Sequence, residues 1–192
     1  MFEVELKAHV YDREEAIKNL NSFAKYERKI IKDDTYYSLN SITSRLRKEI
    51  VTENEKTFST FLYTYKKKEL KIDKDGKSIE VNDENECELN DPTPVEKFIT
   101  DAGGKIKLTK HKETLFYTAD TPFGQANLEL CKVPPLGDFL EIEILSQSQD
   151  SETVNNIQKE LHSLLLKSGI PLENIENRYY SELLLDPDKN SE

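Results

Sequence analysis

Two stretches at opposite ends of the chain alternate charged and apolar residues with the same period: EVELK near the start and FLEIEIL beyond residue 138. Side chains of an extended strand point to opposite faces in turn, so Glu3, Glu5 and Lys7 share one face and Val4 and Leu6 the other. Glu141 and Glu143 likewise stand against Leu140, Ile142 and Ile144. The spacing recurs as Arg45 and Arg47 in SRLRK, Lys66 and Lys68 in YTYKKKE, Glu86 and Glu88 in ECEL, and Lys110 and Lys112 in TKHKE. In LELC, Glu129 falls on the face of Cys131. Such a period constrains the chain to many strands, each with one charged face.

Any single pair suits a sheet whose outer face is wet. Together, arginine and glutamate pairs recur where the Thr, Ser and Gln of a merely wet face are sparse. This favours a closed antiparallel barrel with the charged face turned inward and helices on the outside. Buried charges of both signs are costly unless they are paired or hold a charged ligand. A polyphosphate with divalent cations satisfies both signs, since amines and guanidinia take phosphate oxygens and carboxylates take metal.

The remaining pattern completes an α+β chain. Residues 11–24 read as a helix with Asp12 as cap and Ala16, Leu20 and Phe23 as its apolar stripe. PTPVEKFITDAGG reads as a short helix between prolines and a Gly-Gly stop. Val154, Ile157, Leu161, Leu164 and Leu165 predict a longer helix ending at Gly169, and ENIENRYYSELLL a last helix over 173–185. Strand candidates are divided by LNS, DKDGK, DTPFG and PPLG. The expected organisation is one domain over 1–185 with a flexible tail over 186–192.

Composition excludes several classes. The net charge of −10 argues against general nucleic-acid binding. No apolar run approaches the ~20 residues that cross a bilayer, and no basic-then-apolar leader opens the chain, so a cytoplasmic location without membrane contact is expected. Two cysteines outside CxxC spacing and three scattered histidines leave carboxylates as the donors for any metal, which favours Mg²⁺, Mn²⁺ or Ca²⁺.

The order of these pieces resembles that of the CYTH superfamily, the triphosphate tunnel metalloenzymes. EVELK resembles the family's ExExK signature, SRLRK its RxR strand, TYK its TxK strand and ECE the acidic part of RxExE. KHK stands where KxR is usual, PPLGDFLEIE resembles LGxFxEIE, and RYYSELL resembles the C-terminal tyrosine segment. The resemblance spans about Phe2 to Leu185. Three positions depart from it: Glu84 stands for an arginine, Lys112 for the arginine of KxR, and Cys131 for a frequent aspartate. The HF dipeptide of bacterial class IV adenylyl cyclases is absent.

The resemblance implies an eight-stranded antiparallel barrel, or triphosphate tunnel, that works with Mg²⁺ or Mn²⁺. It implies Glu3, Glu5, Glu141 and Glu143 as metal ligands, helped by Glu129. Lys7, Arg45, Arg47, Lys66, Lys110 and Lys112 would hold phosphate, with Lys7 also counted in the catalytic set. Glu86 and Glu88 would assist a second metal or orient water. Arg178 is placed either at the tunnel mouth or on the surface, and Asp34 and Tyr36 in a partly structural strand. The expected activity is hydrolysis of a small triphosphate, inorganic tripolyphosphate first and ATP or another nucleoside triphosphate next. Cyclisation of ATP to cAMP and pyrophosphate is the alternative, and a binding module without turnover a third reading. Whether the chain forms a homodimer is left open.

Overall fold

The computed structural model describes residues 2–40, 42–72, 78–148 and 150–186, with the side chains of 66–72 and 78–84 excepted. The expected DKDGK turn and nearly all of the expected tail lie outside these residues. Eight strands and four helices follow in the order β1 (Phe2–Val10), α1 (Arg13–Phe23), β2 (Lys25–Leu39), β3 (Ile42–Glu53), β4 (Lys56–Ile72) and β5 (Ser78–Leu89). Then come α2 (Thr93–Asp101), β6 (Lys105–Thr121), β7 (Gly124–Val133), β8 (Gly137–Ser146), α3 (Ser151–Lys167) and α4 (Tyr180–Leu185). The strands form one sheet in the order β1-β8-β7-β6-β2-β3-β4-β5, so β1 and β5 are its two ends. Pairing is antiparallel for β1 with β8, β8 with β7, β7 with β6 and β4 with β5. The α+β class and eight antiparallel strands match the expectation. Closure of the sheet into a barrel is not seen among the described residues.

The chain divides into two compact units: 1–30 with 51–56 and 112–192, and 31–50 with 57–111. In the first unit, register sets the core. Val4 lies opposite Ile144, Leu6 opposite Ile142 and Ala8 opposite Leu140. Their apolar face, continued by Ala126, Leu128 and Leu130 of β7, is packed with Ala16 and Leu20 of α1 and Ile157, Leu161, Leu164 and Leu165 of α3. Fully burying one such Leu or Ile contributes about 1.5–3 kcal/mol.

The helices begin where capping chemistry allows. Asp12 accepts a hydrogen bond from the Glu15 amide at 3.0 Å, and Asp150 from the Thr153 amide at 2.8 Å. Helix α3 stops as expected at Gly169, whose φ is +80° and where an added Cβ would meet the Asn19 amide at 2.5 Å.

The last expected helix is broken. Residues 172–174 form a 3-10 turn, and α4 begins only at Tyr180. Between them Ile175 bridges Ala8 in antiparallel fashion, and the Glu176 amide donates to the Lys7 carbonyl at 2.7 Å. Pairing with the edge of β1 satisfies these backbone groups better than a helical turn would, and it covers that edge locally.

In the second unit, Tyr37, Leu46 and Ile99 form a smaller core, supported by Tyr63, Leu89 and Val95. The Tyr37 hydroxyl donates to Glu96 at 2.8 Å, tying β2 to α2. No helix among the described residues is long and apolar enough to cross a membrane.

Ile142 is fully buried, whereas Leu145 is 42% exposed. Ile142→Ala is therefore expected to lower the unfolding free energy by about 3 kcal/mol in urea titrations. Leu145→Ala is expected to stay within about 0.5 kcal/mol of the parent.

Candidate functional site

The face of β1, β8 and β7 opposite the core carries the charges. Register places Glu5 directly opposite Glu143 and Lys7 opposite Glu141 across β1 and β8. Across β8 and β7, Glu141 stands opposite Glu129 and Glu143 opposite Asn127. Three neighbouring strands thus hold two face-to-face carboxylate pairs, an arrangement that is destabilising unless a cation relieves it. Loss of hydration, with Glu141 and Glu3 nearby, holds the Glu5 carboxyl above its ordinary range. Burial, then Glu3, does the same to Glu143. Among the described residues no ion pair reaches Glu3, Glu5 or Glu143.

The two candidate lysines of this unit, Lys7 and Lys112, make different polar contacts. Lys112, on β6, is buried, and its Nζ bonds both Glu129, at 2.7 Å, and Glu141. Burial pulls that amine down, but the facing groups, Glu141 and Glu129 among them, outweigh it and hold the ammonium above its usual range. The Lys7 amine donates to the Arg178 carbonyl and lies 4.5 Å from the centre of the Tyr180 ring. Burial lowers its pKa against the pull of Glu141. Arg178 turns to Glu176, with contacts of 3.0 and 2.6 Å, and this pairing depresses Glu176 to about 2.

In the second unit, a buried carboxylate collects the cations. Asp34 on β2 accepts two hydrogen bonds from Arg47, at 2.6 and 3.0 Å. It also lies 3.2 Å from Lys110 and accepts from the Tyr36 hydroxyl at 3.3 Å. Burial alone would raise Asp34, but Arg47 and Lys110 overcome it and hold the carboxyl at about 2. Arg45 donates through Nη2 to Thr64 at 2.9 Å and to Glu86 at 3.3 Å, and the Thr64 hydroxyl donates to Glu86 at 2.7 Å. The Nε of Arg45 is buried with no partner among the described residues. Glu88 is exposed on β5. The side chains of Lys66 and Glu84 lie outside the described residues, although the backbone register pairs the two positions.

Each unit therefore brings its own set together: Glu3, Glu5, Lys7, Lys112, Glu129, Glu141 and Glu143 in the first, and Arg45, Arg47, Lys110 and Glu86 in the second. Sequence reasoning gave Asp34 only a partly structural role. Its spacing of two from Tyr36 was the signal that it shares their strand face. Tyr180 was also missed as a site residue. Its ring packs edge-on against Phe139 with centres 5.1 Å apart, beneath the amines of Lys7 and Lys112.

The donor set fits a hard divalent cation, because the facing groups are carboxylate oxygens. One position fits less well: Glu129, Cys131 and Glu141 place ligand atoms within 4.8 Å of one another, but one of these is a thiol and Lys112 sits on the other two.

No family model and no curated protein matches the chain. Solved structures do. The PH1819 protein of Pyrococcus horikoshii OT3 is 26% identical, with 97% of this chain and 99% of that one aligned at a TM-score of 0.69. A candidate adenylate cyclase from Vibrio parahaemolyticus is 15% identical, with 96% and 98% covered at a TM-score of 0.65. A candidate adenylyl cyclase from Hippeastrum, described as having a dominant triphosphatase activity, is 14% identical, with 96% and 95% covered at 0.55. The last two likenesses establish fold.

Asp34 has a folded pKa of about 2 against an ordinary 3.8. Its contribution, roughly 2 kcal/mol, is thus complete above about pH 4 and lost as the pH falls towards 2. Urea unfolding across that range is expected to show a steeper acid limb in the parent than in Asp34→Asn. At pH 7 the variant is expected to lose about 3–5 kcal/mol, because Arg47 stays buried without its partner.

Proposed function

We propose that this chain, which has the fold of the CYTH superfamily, is a divalent-metal-dependent triphosphatase, with inorganic tripolyphosphate its first substrate and nucleoside triphosphates its second. The observation that carries the reading is the face-to-face carboxylate pair of Glu5 with Glu143, which no ion pair relieves among the described residues. A fold gains nothing from such a pair on its own, so a cation is the physical reason to keep it. In this reading the sheet closes as the barrel expected from the sequence, and its charged face is the triphosphate tunnel.

Glu3, Glu5 and Glu143, with Glu141 and Glu129 beside them, would hold Mg²⁺ or Mn²⁺. A bound ion of this kind neutralises phosphate charge and polarises a phosphoryl oxygen. Arg45, Arg47 and Lys110 bind phosphate oxygens, with Lys66 and Lys7 assigned the same role. Arg47 and Lys110 are positioned in advance by Asp34, which limits the reorganisation needed when the anion arrives. The unpartnered Nε of Arg45 offers a further donor. Glu86, hydrogen-bonded to Thr64 and Arg45, would orient water, with Glu88 two residues away. Phosphoryl transfer asks mainly for positioning and charge stabilisation, and these residues supply both.

The dominant triphosphatase activity of the Hippeastrum protein favours hydrolysis over cyclisation. The description of the Vibrio parahaemolyticus protein as a candidate adenylate cyclase keeps the second reading, in which the 3′-hydroxyl of ATP replaces water.

The test is a panel of tripolyphosphate, ATP and thiamine triphosphate with Mg²⁺ or Mn²⁺, with every product identified. Orthophosphate is expected; cAMP with pyrophosphate would establish the cyclase reading instead. Glu5→Ala and Glu143→Ala are each expected to lower phosphate release at least about a hundredfold with an unchanged far-UV circular dichroism spectrum. Full activity in either would remove the metal assignment.

A further inference from the structure

Lys112 is the buried ammonium on the acidic face. It is 6% exposed, and its Nζ contacts the Oε2 atoms of both Glu129 and Glu141. Those two glutamates stand opposite each other in register, and with Cys131 they make the one tight group of potential metal donors among the described residues. The neighbouring pair is different. Glu5 and Glu143 also stand opposite each other, and among the described residues no ammonium or guanidinium forms an ion pair with them.

We infer that Lys112 is the built-in cation of the Glu129–Glu141 pair, so that this chain takes one divalent ion, at Glu5 and Glu143 with Glu3, rather than two. The inference rests on the metal-dependent reading above and narrows it. A divalent ion on either Oε2 would share that oxygen with an ammonium already in contact, and two cations so close in a half-buried place repel strongly. The third donor, the Cys131 thiol, is a soft ligand and a poor match for Mg²⁺. The choice of lysine matters too. A compact ammonium sits between single oxygens of two carboxylates, whereas the planar guanidinium of arginine favours both oxygens of one. Glu129 becomes a positioning residue that fixes Lys112.

The experiment counts Mn²⁺ bound to the full chain, reading free Mn²⁺ by electron paramagnetic resonance, with circular dichroism to check folding. One ion per chain is expected for the parent, and two for Lys112→Gln. The single ion is expected to be lost in Glu143→Gln and kept in Glu129→Gln. Two ions in the parent overturn the inference and leave the metal-dependent reading intact. Loss of the ion in Glu129→Gln with retention in Glu143→Gln overturns it as well, as does one ion in a folded Lys112→Gln. If Lys112→Gln does not fold, the parent count and the two glutamate variants still decide. No bound ion in the parent overturns both the inference and the reading on which it rests.

Discussion

Carboxylates that face each other across neighbouring strands are the constraint around which the first unit is arranged. Glu5 opposite Glu143 and Glu129 opposite Glu141 follow from a single register along β1, β8 and β7. That register is not free to slip. A shift by one residue would turn Val4, Leu6, Ile142 and Ile144 out of the core and bury the acids. The apolar contacts with α1 and α3 hold the strands in place, and the unfavourable Glu5–Glu143 pair is carried by that packing, while Lys112 relieves Glu129 and Glu141. Stability made on one face of the sheet thus maintains electrostatic tension on the other.

The second unit solves the opposite problem, how to gather cations. Asp34 is buried and satisfied by Arg47, Lys110 and Tyr36, so positive groups that would repel one another are kept in place by one anion. Removing either partner of such a pair is costly, which makes Asp34 structural in effect even though its role is to serve charge. Arg45 is held more loosely, through Thr64 and the half-exposed Glu86. A guanidinium with alternative neutral and acidic partners can change them at lower cost when an anion binds.

Much of this was legible in the sequence because a strand writes its two faces as alternate letters. EVELK and FLEIEIL already separate the core residues from the acids, and the cap Asp12 appears where the first helix begins. What stayed hidden depends on contacts between distant residues. Nothing near Lys112 announces that its amine meets Glu129 and Glu141. The helix expected over 173–185 failed for the same reason: Ile175 and Glu176 pair with Ala8 and Lys7 of β1, at the far end of the sequence, and that partnership overrides local propensity. Tyr180 became visible as a site residue only when α4 brought its ring under Lys7.

The most direct measurement of the central claim is equilibrium urea unfolding of the parent and the Glu5→Gln, Glu143→Gln double variant, first with chelator and then with Mg²⁺ and tripolyphosphate. Both carboxyls are held above their ordinary range, so their charged forms disfavour the fold at neutral pH. With chelator the double variant should therefore be the more stable. With Mg²⁺ and tripolyphosphate the parent should gain stability and the variant should not. A parent that is already the more stable in chelator, together with equal gains in both proteins, would contradict the claim that this face is kept for a cation.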